Sequence, residues 1–252
     1  MTEEALLLIR DLELAYDGVV VLSGVNLEIR RGEFWFLLGP NGSGKTTLMK
    51  AILGLLSPRG GVLEHGPLAR SEIAFVPQQC ALNPGIPTTV REFVSLGFIG
   101  TANARDERAQ RLVHALERVG LKGMAERSYW EISGGQQQRA LVARALVRAP
   151  RFLLLDEPTE ALDIGSEETL LETLEELRRT ADITLVFITH ELEIAARHAS
   201  HVALFQHGRV RSGPRREILN AQALQEAYGV APALAEKLCS GAARVKTAST
   251  AV

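Results

Sequence analysis

The stretch GPNGSGKT, Gly39 to Thr46, constrains this chain more than any other eight residues. It follows an apolar run, Phe34 to Leu38. It precedes a pattern with Leu48, Ile52 and Leu55 at helical spacing, closed by Gly54, Ser57 and Pro58. That context predicts strand, glycine-rich turn, helix. Gly39, Gly42 and Gly44 carry no side chain to block close approach, so consecutive backbone N–H groups can turn inward around an anion. The helix that follows sets its positive N-terminal end behind the same point. Lys45 adds a positive charge, and Thr46 a hydroxyl that can ligate Mg²⁺. Pro40, Asn41, Ser43 and Thr47 complete the segment. The spacing G-x-x-x-x-G-K-[ST] is that of a phosphate-binding loop.

The rest of the chain arranges itself around this loop. Ala5 to Arg30 reads as β hairpins, with Asp17-Gly18 as the turn. Gly60 to Gly66 reads as a turn-rich return, and IAFVPQQ as a short strand ended by Pro77. From Thr88 to Pro150 the pattern is helical. In its middle helix, Arg105 to Val119, Ala109, Leu112, Val113, Leu116 and Val119 share one face. RFLLLDEP and ITLVFITH are apolar strands separated by an acidic helix, Glu167 to Arg179. Two short strands around His207-Gly208 and one helix, REILNAQALQEAYG, follow. Strands alternating with helices predict an α/β layer with a mostly parallel sheet. The tail from Val230 lacks clear period, and its last ten or so residues are expected to be mobile.

A second chemical signal is FLLLDEP, Phe152 to Pro158. A buried strand delivers two adjacent carboxylates to its end. In a phosphoryl-transfer site Asp156 would hold Mg²⁺ and Glu157 would orient or deprotonate the attacking water. Gln78, just past IAFVP, could sense Mg²⁺ or that water; a solvated loop glutamine is the plainer alternative, and Gln79 leaves the choice open by one position. His190, at the end of ITLVFIT, could hydrogen-bond a transferring phosphoryl group or be structural. Tyr16 could stack on an adenine ring or be an ordinary strand tyrosine. Asp163 sits where a helix cap is also expected. HELEI lacks the second histidine of a metalloprotease helix, since position 194 is Ile194. His198 and His201 have the spacing of a metal pair but no further ligands nearby.

EISGGQQQRA, Glu131 to Ala140, holds no nucleophile with a base beside it. With the loop and the carboxylates, it makes the chain resemble the ATPase subunit of ATP-binding cassette (ABC) transporters over roughly residues 5–228. On these positions the resemblance implies an A-loop at Tyr16, Walker A at Gly39–Thr46, a Q-loop at Gln78, a signature at Ser133–Gln136 and Walker B at Phe152–Asp156. Glu157, a D-loop at Asp163 and an H-loop at His190 complete the set. The implied fold is a P-loop NTPase α/β core with an N-terminal antiparallel β subdomain. A helical subdomain at about 88–150 is inserted in it, all within one domain over residues 1–230.

The resemblance also implies ATP and Mg²⁺ as cofactors and an ATP-dependent, head-to-tail homodimer. Ser133, Gly134, Gly135 and Gln136 of one copy would then bind the γ-phosphate held by the other, Ser133 as a hydroxyl donor and the helix from Gln136 onward by its N-terminal end. Two residues depart from the family pattern. Ile132 stands where Leu is usual, and Glu160 where small residues are common.

The bulk numbers limit the partners. Net charge is 28 − 30 = −2, which gives no reason to expect nucleic acid. No apolar stretch approaches the roughly 18 residues of a membrane span. The acidic N-terminus lacks a secretory pattern. Cys80 and Cys239 read as free thiols in a reducing compartment. These features predict a cytosolic chain whose membrane role comes through a partner; the resemblance implies a peripheral place on the inner face of the cytoplasmic membrane. The resemblance implies separate transmembrane permease subunits, gripped near Gln78 to Gly97, and a substrate-binding protein. LNPGIPTTVREFVSLGFIG and GPRREILNAQALQEAYG are similar to ATPases of zinc/manganese-type importers. Siderophore or cobalamin importers, lipid or drug exporters and iron–sulfur assembly ATPases are the alternatives.

Overall fold

The computed structural model describes residues 5–80, 82–102, 104–229, 231 and 233. Cys239 and nearly all of the tail lie outside them. In chain order the elements are β1 (Ala5–Tyr16), β2 (Val19–Arg30), β3 (Phe34–Leu38), α1 (Lys45–Ile52), β4 (Gly60–His65), β5 (Ile73–Val76) and α2 (Val90–Ser95). There follow α3 (Arg105–Arg118), α4 (Gly134–Leu146), β6 (Phe152–Asp156), α5 (Ile164–Ala181), β7 (Thr184–Thr189) and α6 (Leu192–His198). The last are β8 (His201–Gln206), β9 (Arg209–Pro214), α7 (Arg215–Ile218) and α8 (Ala221–Tyr228). The chain divides into two compact units, one of Met1–Pro67 with Val186–Val252, the other of Leu68–Leu185.

In the first unit β1 and β2 form the expected hairpin. Asp17 and Gly18 both take left-handed backbone, φ 47° and 83°, which matches the twist of the flanking strands. Leu12, Leu14, Leu22, Val25 and Ile29 are fully buried along it. β4 corrects the reading of Gly60 to Gly66 as a turn. It pairs antiparallel with the other side of β1, giving the order β2-β1-β4. Its signal is weak because it is a strand with no buried position that opens on two glycines.

β3 is buried at all five positions. It runs parallel to β8, with Leu38 opposite Leu204, and β8 turns at His207-Gly208 into antiparallel β9. Phe34, Phe36 and Phe187 stack around β3, the last two with ring centroids 4.8 Å apart. α1 buries Leu48, Met49 and Ile52. It ends before Gly54 (φ 71°), so Leu55 is 73% exposed rather than on the buried face. The late helix is two helices, α7 and α8. Asn220 breaks the run by capping α8, its Oδ1 accepting from Ala223 N at 2.9 Å.

In the second unit β5 and β6 are parallel, with Val76 opposite Leu155. α2, α3 and α4 fall in the stretch expected to be helical. α2 begins with a capping box between Thr89 and Glu92. The buried face of α3 is rotated from the expected one. Leu112, Ala115, Leu116 and Val119 are buried, whereas Ala109 and Val113 are exposed. Phe93 packs on Tyr129 at 4.3 Å, and Arg144 lies over Phe93 at 5.0 Å. Burial pushes the Tyr129 hydroxyl up to about 12. Arg144 Nη1 also donates to Sγ of Cys80, a reduced thiol, at 3.2 Å. The fold class is mixed α/β, with an antiparallel N-terminal sheet and mostly parallel pairing elsewhere.

Candidate functional site

The first unit carries the phosphate-loop sequence at the carboxyl end of β3. Glycine is sterically required there. A methyl group on Gly39 would lie 2.8 Å from Ser43 Oγ and 2.9 Å from Phe205 Cβ. One on Gly44, itself at φ 104°, would lie 2.7 Å from Leu22 Cδ2. Lys45 is only 6% exposed, and its ammonium donates to the carbonyls of Gly39 (2.6 Å) and Pro40 (3.1 Å). Ser43 Oγ is buried without a hydrogen-bond partner.

α1 has neither a side-chain cap nor an acid in its first turn. The other helices of eight or more residues have at least one of these: acids in α3, caps in α4, α5 and α8. The N–H groups at the start of α1 thus have neither a side-chain cap nor an acidic neighbour in the first turn. Together with the buried lysine and the unpartnered serine hydroxyl, they fit an anion with several oxygens, such as the phosphates of a nucleotide. Thr46, in the first turn, is exposed, and Thr47 is buried.

Tyr16 ends β1 and is 39% exposed, with Lys50 Nζ over its ring at 5.6 Å from the centroid. Lys50 carries no motif, and sequence reasoning missed it. His190 follows β7 directly and is half-buried. His201 stacks on Trp35 at 4.9 Å, and its Nε2 lies 3.5 Å from Glu33 Oε1. Among the described residues no group of three or more His, Cys, Asp or Glu could hold a metal ion by itself. A Mg²⁺ site would therefore need oxygens from a substrate, which is that ion's usual habit.

The second unit brings Gln78, Asp156 and Glu157 to one edge. Because Val76 pairs with Leu155, Gln78 and Glu157 leave the same carboxyl end of two adjacent parallel strands. Ligands of open α/β sheets bind at that end. Glu157 takes left-handed backbone at φ 43°, as does Ala161 at φ 66°. Each non-glycine residue held there costs roughly 1–2 kcal/mol, a strain that clusters at functional segments. Two turns fix the stretch between them: Glu160 N donates to Glu157 O and Leu162 N to Thr159 O, both at 3.1 Å. Gln78 Nε2 donates to Glu160 Oε2. The exposed Gln79 has no comparable bond to that segment, so Gln78 is the glutamine it engages.

Asp163 is the N-cap of α5. Its Oδ1 accepts from Ser166 N at 3.0 Å and its Oδ2 from the Ser166 hydroxyl at 2.7 Å. These bonds, the hydroxyl's first, hold the Asp163 carboxyl below the usual carboxylate range. A folded-state value below the unfolded one means stability that is present above the unfolded pKa and drains as pH falls through the folded pKa. Asp163→Ala is therefore expected to lower the melting temperature at pH 7. The gap from wild type should narrow below about pH 4. An equal gap at pH 7 and pH 3 in thermal melts would refute the charged cap.

The signature stretch differs from its sequence reading in two ways. α4 begins at Gly134, not Gln136, because Ser133 is its N-cap. Ser133 Oγ accepts from Gln136 N (3.3 Å), and Gln136 Oε1 accepts from Ser133 N (2.9 Å), a reciprocal capping box. The two glycines are also unequal. A methyl on Gly135 would lie 2.4 Å from Ser166 Oγ, so packing on α5 demands glycine there. A methyl on Gly134 would meet nothing within 4 Å. Nothing in the sequence marks Ser166 as the neighbour. Ile132 is buried at 6% exposure, as an apolar residue at that position should be.

The sequence pattern described as ABC transporter matches residues 22–160. The zinc uptake system ATP-binding protein ZurA of Listeria innocua is 38% identical over 200 residues, 74% of this chain and 77% of ZurA. The spermidine/putrescine import ATP-binding protein PotA of Spiroplasma citri is 36% identical over 226 residues, 86% of this chain but only 64% of PotA. Among solved structures, cbiO1 of Clostridium perfringens, part of the ABC transporter complex cbiONQ, superposes with a TM-score of 0.78. It is 28% identical, over 93% of this chain and 98% of cbiO1. The chain belongs to the ABC transporter family and is an ATP-hydrolysing subunit of such a transporter.

Proposed function

We propose that this ATPase subunit powers metal-ion import through separate transmembrane permease subunits, in a system that also includes a substrate-binding protein. The observation that carries the metal reading is the 38% identity to a zinc uptake ATPase over about three quarters of both chains. The polyamine relative is about as similar but longer, and this chain spans 64% of it. Among the described residues no helix is long and apolar enough to cross a membrane. In this reading the subunit works from the inner face of the cytoplasmic membrane, and the segment Gln78 to Gly97 is the surface that grips the permease.

In this reading Gly39–Thr47 holds the ATP phosphates. Loop N–H groups, the Ser43 hydroxyl and the Lys45 ammonium all donate to phosphate oxygens. Tyr16 stacks on the adenine. Thr46, Gln78 and Asp156 offer a hydroxyl, an amide and a carboxylate, the hard oxygen donors Mg²⁺ prefers. When bound, Mg²⁺ neutralises charge on the phosphates. Glu157 orients the attacking water and takes its proton, while His190 hydrogen-bonds the transferring phosphoryl group. Asp163 keeps the segment after Glu157 in register with α5. Two copies pair head to tail with ATP between them, and Ser133, Gly134, Gly135 and Gln136 of each copy complete the nucleotide site of the other.

Deleting the gene and following uptake of radioactive zinc and of radioactive spermidine tests the cargo. Zinc uptake is expected to fall severalfold with spermidine uptake unchanged. Loss of spermidine uptake instead would overturn the metal reading. Purification from detergent-solubilised membranes should bring down a multispan protein; a soluble scaffold in its place would overturn the transport role of the permease partner.

A further inference from the structure

We propose that Glu160 is a positioning residue for Gln78: its carboxylate fixes which end of the Gln78 amide is presented to the cation at the nucleotide. The inference rests on the reading of Gln78 as a group that meets Mg²⁺. Glu160 lies 82 residues from Gln78 in sequence, yet accepts a hydrogen bond from Gln78 Nε2. Both side chains are exposed, so the core does not force the contact.

The chemistry of the pair decides the orientation. An amide side chain has a donor end and an acceptor end of nearly equal shape, and its last torsion is soft and roughly two-fold. Free in water, Gln78 would present either end. An ionised carboxylate can only accept, so Glu160 selects the NH₂ end and leaves Oε1 facing elsewhere. A hard divalent cation takes the amide oxygen and not the nitrogen. The bond is also charge-assisted, about twice as strong as a neutral one.

Glu160 is itself held. Its N–H donates to Glu157 O, and its neighbour Ala161 sits in left-handed backbone at φ 66°. The carboxylate thus belongs to the short rigid segment that carries Glu157. Since β5 and β6 run parallel with Val76 opposite Leu155, Gln78 and that segment leave the same edge. The oxygen of Gln78 is thereby referenced to the position of Glu157. Groups that orient a metal ligand in this way are typically worth about 10–100-fold in metal affinity.

The test uses the full chain, Mn²⁺ as the probe cation and a non-hydrolysable ATP analogue. Binding of the analogue is measured by calorimetry with and without Mn²⁺, and bound Mn²⁺ by its paramagnetic resonance signal. Glu160→Ala is expected to weaken Mn²⁺-analogue binding about tenfold and to leave metal-free binding within about twofold. Gln78→Ala should do the same, and the double variant should match Gln78→Ala alone. Glu160→Gln brings a donor as well as an acceptor, no longer selects one end of the Gln78 amide, and should recover at most a small part of the loss; full recovery would overturn selection by an acceptor-only group. If Gln78→Ala weakens binding and Glu160→Ala does not, the positioning role is wrong while the reading of Gln78 stands. If the two losses multiply in the double variant, Glu160 acts by its own charge, and the proposal fails. If Gln78→Ala has no effect on Mn²⁺ binding, the reading of Gln78 itself is overturned.

Discussion

Glu157→Gln is expected to lower ATP turnover by about a thousandfold while nucleotide binding persists, the loss typical of removing a general base. The replacement is nearly isosteric, so what it removes is basicity. Glu157 directly follows β6, whose first four residues are buried, in left-handed backbone held by the turn to Glu160. That backbone has no reason to relax when a carboxylate becomes an amide. An amide, however, cannot take a proton from water. Phosphate release measures the first effect. The second is assembly: with hydrolysis blocked, ATP should accumulate a dimer visible by size-exclusion chromatography with light scattering. Turnover within about threefold of wild type would remove Glu157 from the role of base, since such a base typically contributes at least a hundredfold. A monomer at every ATP concentration would remove the head-to-tail pairing.

The second large effect separates two adjacent glycines. Gly135→Ala is expected to destabilise the fold by about 1–3 kcal/mol, the usual range for forcing an extra carbon into a packed contact. The clash is with Ser166, 2.4 Å from where the methyl would sit. Gly134→Ala should leave the melting temperature unchanged or slightly raised, because its methyl meets nothing and alanine favours helix. Yet it should cut hydrolysis by about a hundredfold, the scale of an ångström-sized misplacement at a reacting centre. The chain alone gives no reason for glycine at 134, so its cost must come from what a second copy brings. Monomer ATP binding should be unaffected. A Gly134→Ala protein with full activity would end the assignment of this stretch to a nucleotide held by another copy.

Features encoded within a few residues were legible in the sequence. The Asp17-Gly18 hairpin, the strand–loop–helix around Lys45 and the apolar β6 ending in Asp156 and Glu157 all follow from turn chemistry and periodicity. Features that depend on a distant partner were not. β4 is a strand only because β1, some fifty residues earlier, offers an edge; on its own, Gly60 and Gly61 read as a turn. The face of α3 was misjudged because Val113 fits the pattern as well as Ala115 does, and only packing separates them. In the signature stretch, Ser133-x-x-Gln136 is a capping signal that was read as ligand chemistry alone. Glu160 looked anomalous beside its neighbours, and its bond to Gln78 could not be read across 82 residues.

The lysine of the phosphate loop carries one further consequence. The Lys45 ammonium is bound to two carbonyls of its own loop. If this loop holds the ATP phosphates as proposed, nucleotide arrival is an exchange of hydrogen-bond partners within a folded loop, not the ordering of a slack one. The favourable energy of the phosphate contacts goes into affinity rather than into freezing backbone. The same resting place receives the ammonium when product leaves. The loop thus returns to its starting shape without passing through an unpaired buried charge, which would slow each cycle of the pump.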